Sequence, residues 1–247
     1  MVTTRKAVVI TGGTKGVGRA AATHLATLGY DLALSYSSDD AAAEETRAAV
    51  RAAGGECLVV KGDGSRRESV EALFREAGER FGEIHAVIAN AGIENVVSPI
   101  AEMAEEAMDR VVDVNLKGTF FVLQQAARNV VDGGRVIATA STIASYPPTG
   151  SAVYAATKAA VRLMVEVLSL ELAARGITAN SLDPGPVDGA GIFTHMTDEQ
   201  RQTFLKGAPM GRLPTPDDLV GTLAFLLSDD AAMVNGHHLA VTGGFRI

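Results

Sequence analysis

Tyr154 and Lys158 stand four residues apart in Ser-Ala-Val-Tyr-Ala-Ala-Thr-Lys, a stretch whose pattern predicts the opening turns of a long helix. At that spacing both side chains leave the helix on one face. A phenol ordinarily ionises near pH ~10 and a neighbouring ammonium favours the phenolate. Such a pair can pass a proton near neutral pH, with tyrosine as donor and lysine as tuner. Tyr-x-x-x-Lys is also an ordinary amphipathic helix edge, so the chemistry depends on what lies upstream. Ser141 stands at the carboxyl end of a predicted strand over 135–140, thirteen residues before Tyr154. A loop over 142–151 can cross the sheet edge and return the helix, so that two hydroxyls meet at one substrate carbonyl. Ser141 would then donate to a developing oxyanion; Thr142 and Ser145 are rivals by residue type.

The rest of the chain must position these groups. Its 247 residues, 47% of them hydrophobic, can fill a sizeable core. No repeat, low-complexity linker or composition shift divides it, so a single domain over 1–247 is expected. The net charge is −7 with no run of Lys or Arg, which argues against nucleic acid and against an anionic membrane surface. No signal-peptide pattern and no apolar stretch of spanning length is present, so a cytoplasmic protein is expected. The single cysteine, Cys57, lies in a strand-like apolar run and reads as core packing. His237-His238 has no third ligand at helical or hairpin spacing, and His24, His85 and His195 are isolated; no metal site is expected.

A β-branched run over 7–10 leads into Thr11-Gly12-Gly13-Thr14-Lys15-Gly16-Val17-Gly18 and then a helical pattern over 19–28. Strand, glycine turn and helix in that order aim backbone N–H groups and a positive helix end at one spot, which suits a pyrophosphate. A plain strand-to-helix turn is the competing explanation. Strands over 31–36, 57–60, 83–88, 135–140, 177–182 and 238–241 then alternate with helical patterns over 41–53, 67–81, 103–131, 151–174 and 214–227. This alternation predicts an α/β fold: a doubly wound, Rossmann-like parallel sheet with helices on both faces and ligands at the carboxyl ends of its strands.

The glycine spacing, T-G-x-x-x-G-x-G, together with Ser141, Tyr154 and Lys158, resembles the short-chain dehydrogenase/reductase family. The resemblance runs from Thr11 to Gly244 with the motifs in order. It implies about seven strands and selects Ser141 over its rivals. It also assigns cofactor contacts. Gly12, Thr14, Lys15, Gly16, Val17 and Gly18 would form the pyrophosphate loop, and Tyr36, Ser37 and Ser38 would flank the adenosine ribose. NAD-dependent members carry an acid there; this chain offers hydroxyls, and Lys15 adds a cation, which implies that NADP(H) is preferred and NAD(H) possible. Asp39-Asp40 read instead as acids of a first helical turn. Asp63 and Gly64 would hold the adenine, Gly64 replacing an apolar residue. Asn90, Ala91 and Gly92 correspond to N-N-A-G with its first asparagine replaced by Ala89. Pro184, Gly185 and Val187 would lie at the nicotinamide, with Gly189 where the family has threonine. Asn115, in Val-Asn-Leu-Lys-Gly, would kink its helix and anchor a relay water; a mid-helix asparagine is otherwise an exposed or locally bonded side chain.

The implied activity is reduction of a ketone to a secondary alcohol: Tyr154 gives the proton, Ser141 steadies the oxygen, Lys158 tunes the tyrosine and binds the nicotinamide ribose. The pattern is most similar to 3-oxoacyl-[acyl-carrier-protein] reductase-like members, which points to a 3-oxoacyl thioester; a polyketide, cyclic ketone or sugar is the alternative, and a non-catalytic NADP(H) sensor a further one. A carrier protein would favour a basic docking patch, with Arg128 and Arg162 as candidates. A homotetramer is implied by the resemblance. Residues 189–207 would form a lid whose Ile192, Phe193, Met196, Phe204 and Leu205 suit an apolar or mixed substrate, or pack a short helix pair.

Overall fold

A computed structural model describes residues 5–94, 97–194 and 196–245. Seven strands form one sheet: β1 (Lys6–Ile10), β2 (Tyr30–Tyr36), β3 (Cys57–Lys61), β4 (Ile84–Ala89), β5 (Val130–Thr139), β6 (Thr178–Pro184) and β7 (His238–Val241). Their order is β3-β2-β1-β4-β5-β6-β7, and every neighbouring pair is parallel. The strand order reverses between β1 and β4, where an open α/β sheet makes a crevice at its carboxyl edge. The helices are α1 (Gly16–Thr27), α2 (Asp40–Ala52), α3 (Arg67–Phe81), α4 (Glu105–Val112), α5 (Thr119–Asn129), α6 (Ala152–Leu172), α7 (Asp198–Lys206) and α8 (Pro216–Leu227).

The period-2 alternation of the strands splits the core in two. Val9, Ile84, Val87 and Ala89 face a cluster built with Leu73 and Phe74 of α3, Val122 and Leu123 of α5, and Val161 and Val165 of α6. Val8, Ile10, Ala86 and Ile88 face the other side, against Leu25 of α1, Val50 of α2 and Leu219, Leu223 and Leu226 of α8. Cys57 belongs to this second cluster, and burial pushes its thiol up to about 12. It is packing, as the sequence implied.

Two differences from the sequence reading have physical causes. The helical region over 103–131 is α4, a π-helical turn over Asp113–Gly118, and α5; β5 then starts at Val130. Asp132, Gly133 and Gly134 therefore lie within a strand, where the pairing register shifts between Ile84 and Ala86. Gly134 makes that irregularity possible, since a Cβ there would stand 2.3 Å from Val130 Cγ1. Helix α1 also begins earlier than its apolar pattern, at Gly16, so the glycine turn and the first helical turn are one structure.

Candidate functional site

The glycine turn is shaped from behind. Gly12 and Gly16 take φ of +61° and +49°, values open to glycine at little cost. A Cβ on Gly18 would stand 2.2 Å from Gly12 O, so α1 can approach the turn only with glycine there. Asn90 braces the turn: its Nδ2 donates to Thr11 O and Gly12 O at 3.2 Å, and the Asn90 and Ala91 amides donate to Thr11 Oγ1 at 3.0 and 3.1 Å. Asn90 thus shapes the loop. Thr14 is buried, and its carbonyl accepts from Thr46 Oγ1 at 3.1 Å. The result is a turn at the amino end of α1, whose first N–H groups lack intrahelical partners, that any side chain at 12, 16 or 18 would distort, and it fits a dinucleotide pyrophosphate. Beside it a narrow cleft runs past Thr11, Ser35, Gly62, Gly64, Ala91 and Gly118. Asp63 stands at its rim with Oδ1 accepting from the Ser65 amide at 2.9 Å and Ser65 Oγ at 2.7 Å, contacts that hold its carboxyl below the ordinary range.

The ribose end carries more acid than the sequence reading allowed for. Asp39 caps α2 through Ala42 N at 3.0 Å and also pairs with Lys15 at 2.5 Å. Asp40 accepts from Tyr36 Oη and Lys61 Nζ, both at 2.9 Å. Lys15 is thus not a free cation, while Ser37 and Ser38 are exposed bends.

The catalytic corner is buried and tightly wired. Tyr154 and Lys158 share the inner face of α6 and are 9% and 4% exposed. Ser141 follows β5; its hydroxyl donates to Pro184 O at 3.4 Å and accepts from Ile143 N at 3.3 Å, and it stands near enough to Tyr154 to favour the phenolate. Of its rivals, Thr142 Oγ1 donates to the same Pro184 O at 3.3 Å, and Ser145 Oγ accepts from Arg162 at 2.5 Å. Lys158 Nζ donates to Thr139 O at 2.8 Å and lies 5.7 Å from the Tyr154 ring centroid. Burial is the largest influence on both. It raises the Tyr154 pKa, with Glu94 adding to the rise and Ser141 opposing it, and it brings Lys158 down to about 8 against the charges of Glu94 and Asp183. The expected tuning of tyrosine by lysine is therefore overshadowed here by desolvation. Asn115 is fully buried and commits both ends of its amide to Ile93, accepting from its N and donating to its O at 2.8 Å. Pro184 ends β6, Gly185 N donates to Val241 O at 3.3 Å, and Val187 packs in the core.

Two groups escaped the sequence reading. Asp183, 1% exposed, pairs with Arg162 at 2.5 Å, and Arg162 also donates to Ser141 O at 3.0 Å. The pair clamps the end of β5 to the end of β6, and Arg162, 17% exposed, is no docking residue; Arg128 is exposed. The pair is ionic rather than a regular hydrogen bond, since neither Asp183 Oδ2 nor Arg162 Nε makes one. Arg162 lies four residues after Lys158, a spacing that signals the same helix face. Behind it Ser181 Oγ donates to Asp183 at 2.6 Å and touches His238 Nδ1 at 2.8 Å, whose Nε2 meets Glu166 at 2.8 Å. The second missed group is Glu94, whose signal was its place just after the Asn90-Ala91-Gly92 turn at a strand's carboxyl end. His195 lies outside the described residues. Beyond the site, Phe193 and Phe204 pack edge to face at 5.0 Å, so part of the apolar set over 189–207 packs on itself. No helix among the described residues is long and apolar enough to cross a membrane.

A family model described as enoyl-(acyl carrier protein) reductase matches residues 12–246. The chain is 33% identical to L-rhamnose 1-dehydrogenase (NAD(P)(+)) of a Sphingomonas species, covering 98% of this chain and 96% of the relative. It is 32% identical to a 3-oxoacyl-[acyl-carrier-protein] reductase of Staphylococcus aureus, covering 97% of each. A Burkholderia cenocepacia protein solved with bound NADP matches with a TM-score of 0.91 at 30% identity, over 98% of this chain and 94% of that one.

Proposed function

Because the chain belongs to the short-chain dehydrogenase/reductase family of oxidoreductases, we propose that it reduces a ketone to a secondary alcohol with NADP(H). The observation that carries this reading is the corner in which Ser141, at the end of β5, meets the buried Tyr154 and Lys158 on one face of α6. The chemistry a bound nicotinamide supplies is hydride transfer to the carbonyl carbon. The chain's part is the proton: Tyr154 gives it to the carbonyl oxygen while Ser141 donates a hydrogen bond to the same oxygen. Lys158 binds the nicotinamide ribose and favours tyrosinate as the proton leaves. The same groups run the oxidation in reverse. With the Asn115 amide held by Ile93, its part in a proton relay falls to its main chain.

NADP(H) is favoured by the absence of a carboxylate at Ser37 and Ser38 and by Lys15, whose exposed ammonium can exchange Asp39 for a 2′-phosphate. For the substrate, a 3-oxoacyl thioester is one reading. The burial of Arg162 removes one candidate for carrier docking and favours a small soluble ketone, with a polyketide, cyclic ketone or sugar in the same range. Leu163, Val167 and Leu170 form an exposed apolar stripe on α6 and support a homo-oligomer, a tetramer in this reading. We place the protein in the cytoplasm. Consumption of NADPH and NADH against a panel of ketones and 3-oxoacyl thioesters, with Tyr154→Phe as control, is the test. Turnover of none of them, or a Phe variant equal to the parent, sinks the mechanism; tighter binding of NADH than NADPH sinks the cofactor assignment.

A further inference from the structure

A row of polar side chains leads from the outer surface of α6 to Ser141. The parallel register sets His238, the first residue of the edge strand β7, beside Ser181 of β6. His238 Nε2 meets Glu166 Oε1 at 2.8 Å, and its Nδ1 meets Ser181 Oγ at 2.8 Å. Ser181 Oγ lies 2.6 Å from Asp183 Oδ1, Asp183 pairs with Arg162 at 2.5 Å, and Arg162 donates to Ser141 O at 3.0 Å. Glutamate, histidine and serine in a row have the composition of a nucleophilic triad. Here they are not one, because Ser181 is fully buried and its hydrogen is given to Asp183.

Counting hydrogens shows what the row requires. Two oxygens 2.6 Å apart need a hydrogen between them, and the Asp183 carboxylate, paired with Arg162, has none, so Ser181 supplies its only one. The hydrogen toward Ser181 must then come from His238 Nδ1, and the one toward the Glu166 carboxylate from Nε2. Both contacts close only when both ring nitrogens carry hydrogen, with Glu166 as the counter-charge. A bare Nδ1 would draw the Ser181 hydrogen to itself and away from Asp183. That carboxylate is 1% exposed and its Oδ2 makes no hydrogen bond, so it depends on Ser181 Oγ. The bond fixes the plane of the carboxylate opposite Arg162, and so the direction in which the guanidinium reaches Ser141 O. We propose that His238 is a positioning residue: with a hydrogen on each ring nitrogen it fixes the Ser181 hydroxyl on Asp183, and through Arg162 it sets the place of the Ser141 hydroxyl at the substrate oxygen. The inference rests on the reductase reading of the corner around Tyr154.

The test follows reduction of ethyl acetoacetate by NADPH in the wild type, in His238→Leu, which removes both hydrogens, and in His238→Gln, whose amide can still donate to Ser181. The leucine variant is expected to lose about tenfold in kcat with KM unchanged, and the glutamine variant to regain most of that. In a Ser141→Ala background the leucine change is expected to cost nothing further, since it acts through the Ser141 hydroxyl. Glu166→Leu, at a half-exposed position, is expected to lower kcat by about threefold and carries the test if the variants at 238 do not fold. An unchanged kcat in His238→Leu, equal losses for leucine and glutamine, or the same loss in the absence of the Ser141 hydroxyl overturns the assignment. Turnover that Tyr154→Phe abolishes shows that the reductase reading stands, whichever way these ratios fall. If neither this ester nor the ketone panel is reduced, that reading fails, and His238 is judged by amide hydrogen exchange at Ile143, whose N–H is bonded to Ser141 Oγ, and at Ala144, whose N–H is bonded to Ser141 O. Exchange at both about tenfold faster in His238→Leu keeps the assignment, and unchanged exchange ends it.

Discussion

The corner around Tyr154, proposed as catalytic, and the corner around Lys15, proposed for the adenosine, are built from the same ingredients, aspartates opposite basic side chains, and behave in opposite ways. At the catalytic end Asp183 is 1% exposed and its partner Arg162 is bound on three sides, to Asp183, Ser141 O and Ser145 Oγ. At the adenosine end the Lys15–Asp39 and Lys61–Asp40 pairs stand in solvent, with side-chain exposures of 64%/41% and 51%/67%. A desolvated pair cannot trade its partner without leaving a naked charge, whereas a solvated one exchanges at little cost. The first arrangement holds a geometry; the second leaves room for a ligand's own charge.

Four experiments sharpen or break that contrast. The largest effect is expected for Tyr154→Phe, which removes the proton donor from the rigid corner and should lower kcat about a thousandfold with an unchanged melting temperature. Next, Asp183→Asn leaves Arg162 buried without a counter-charge and should cost about 3–5 kcal/mol in chemical denaturation. The same change at Asp40 should leave the denaturation midpoint where it was, and equal losses at the two sites would erase the contrast. A smaller effect concerns pH. Lys158 is charged below about 8 and neutral above it, so reductive kcat/KM should fall as pH rises through that value. Glu94 raises the pKa of both Lys158 and Tyr154, so Glu94→Gln should move this alkaline limb to lower pH; a shift upward would contradict the placement of that charge. The smallest is Lys15→Gln, expected to raise KM for NADPH by about fivefold and to leave KM for NADH and the melting temperature unmoved.

The layout of the sheet and the meeting of Ser141, Tyr154 and Lys158 at its edge were legible because their signals are local. Gly12, Gly16 and Gly18 announce themselves by spacing, Tyr154 and Lys158 by helical period, and Ser141 by its place at a strand end. What stayed hidden is made by contacts across the fold. Asp183 looked like the tail of a strand and Arg162 like surface charge, because nothing in the 20 intervening residues says that β6 ends under α6. Lys15 read as a free cation for the same reason, since capping was the favoured reading of Asp39. A kink at Asn115 was expected from the resemblance, but its π-helical form was not, because Asp113–Gly118 keeps a helical apolar pattern while shifting its hydrogen-bond register.

That turn ties together places far apart on the sheet edge. Asn115 pins it to Ile93, just past the turn that carries Gly92. A Cβ on Gly92 would lie 3.3 Å from Asn115 Oδ1 and 3.5 Å from Lys158 Nζ. Three residues later Gly118 presses on the adenine cleft so closely that a Cβ there would stand 2.5 Å from Gly64 O. The turn therefore holds Ile93, next to the Gly92 backbone that faces Lys158, at one end and abuts Gly64 at the other. Both ends of the site thus share one turn of backbone that does not belong to the sheet.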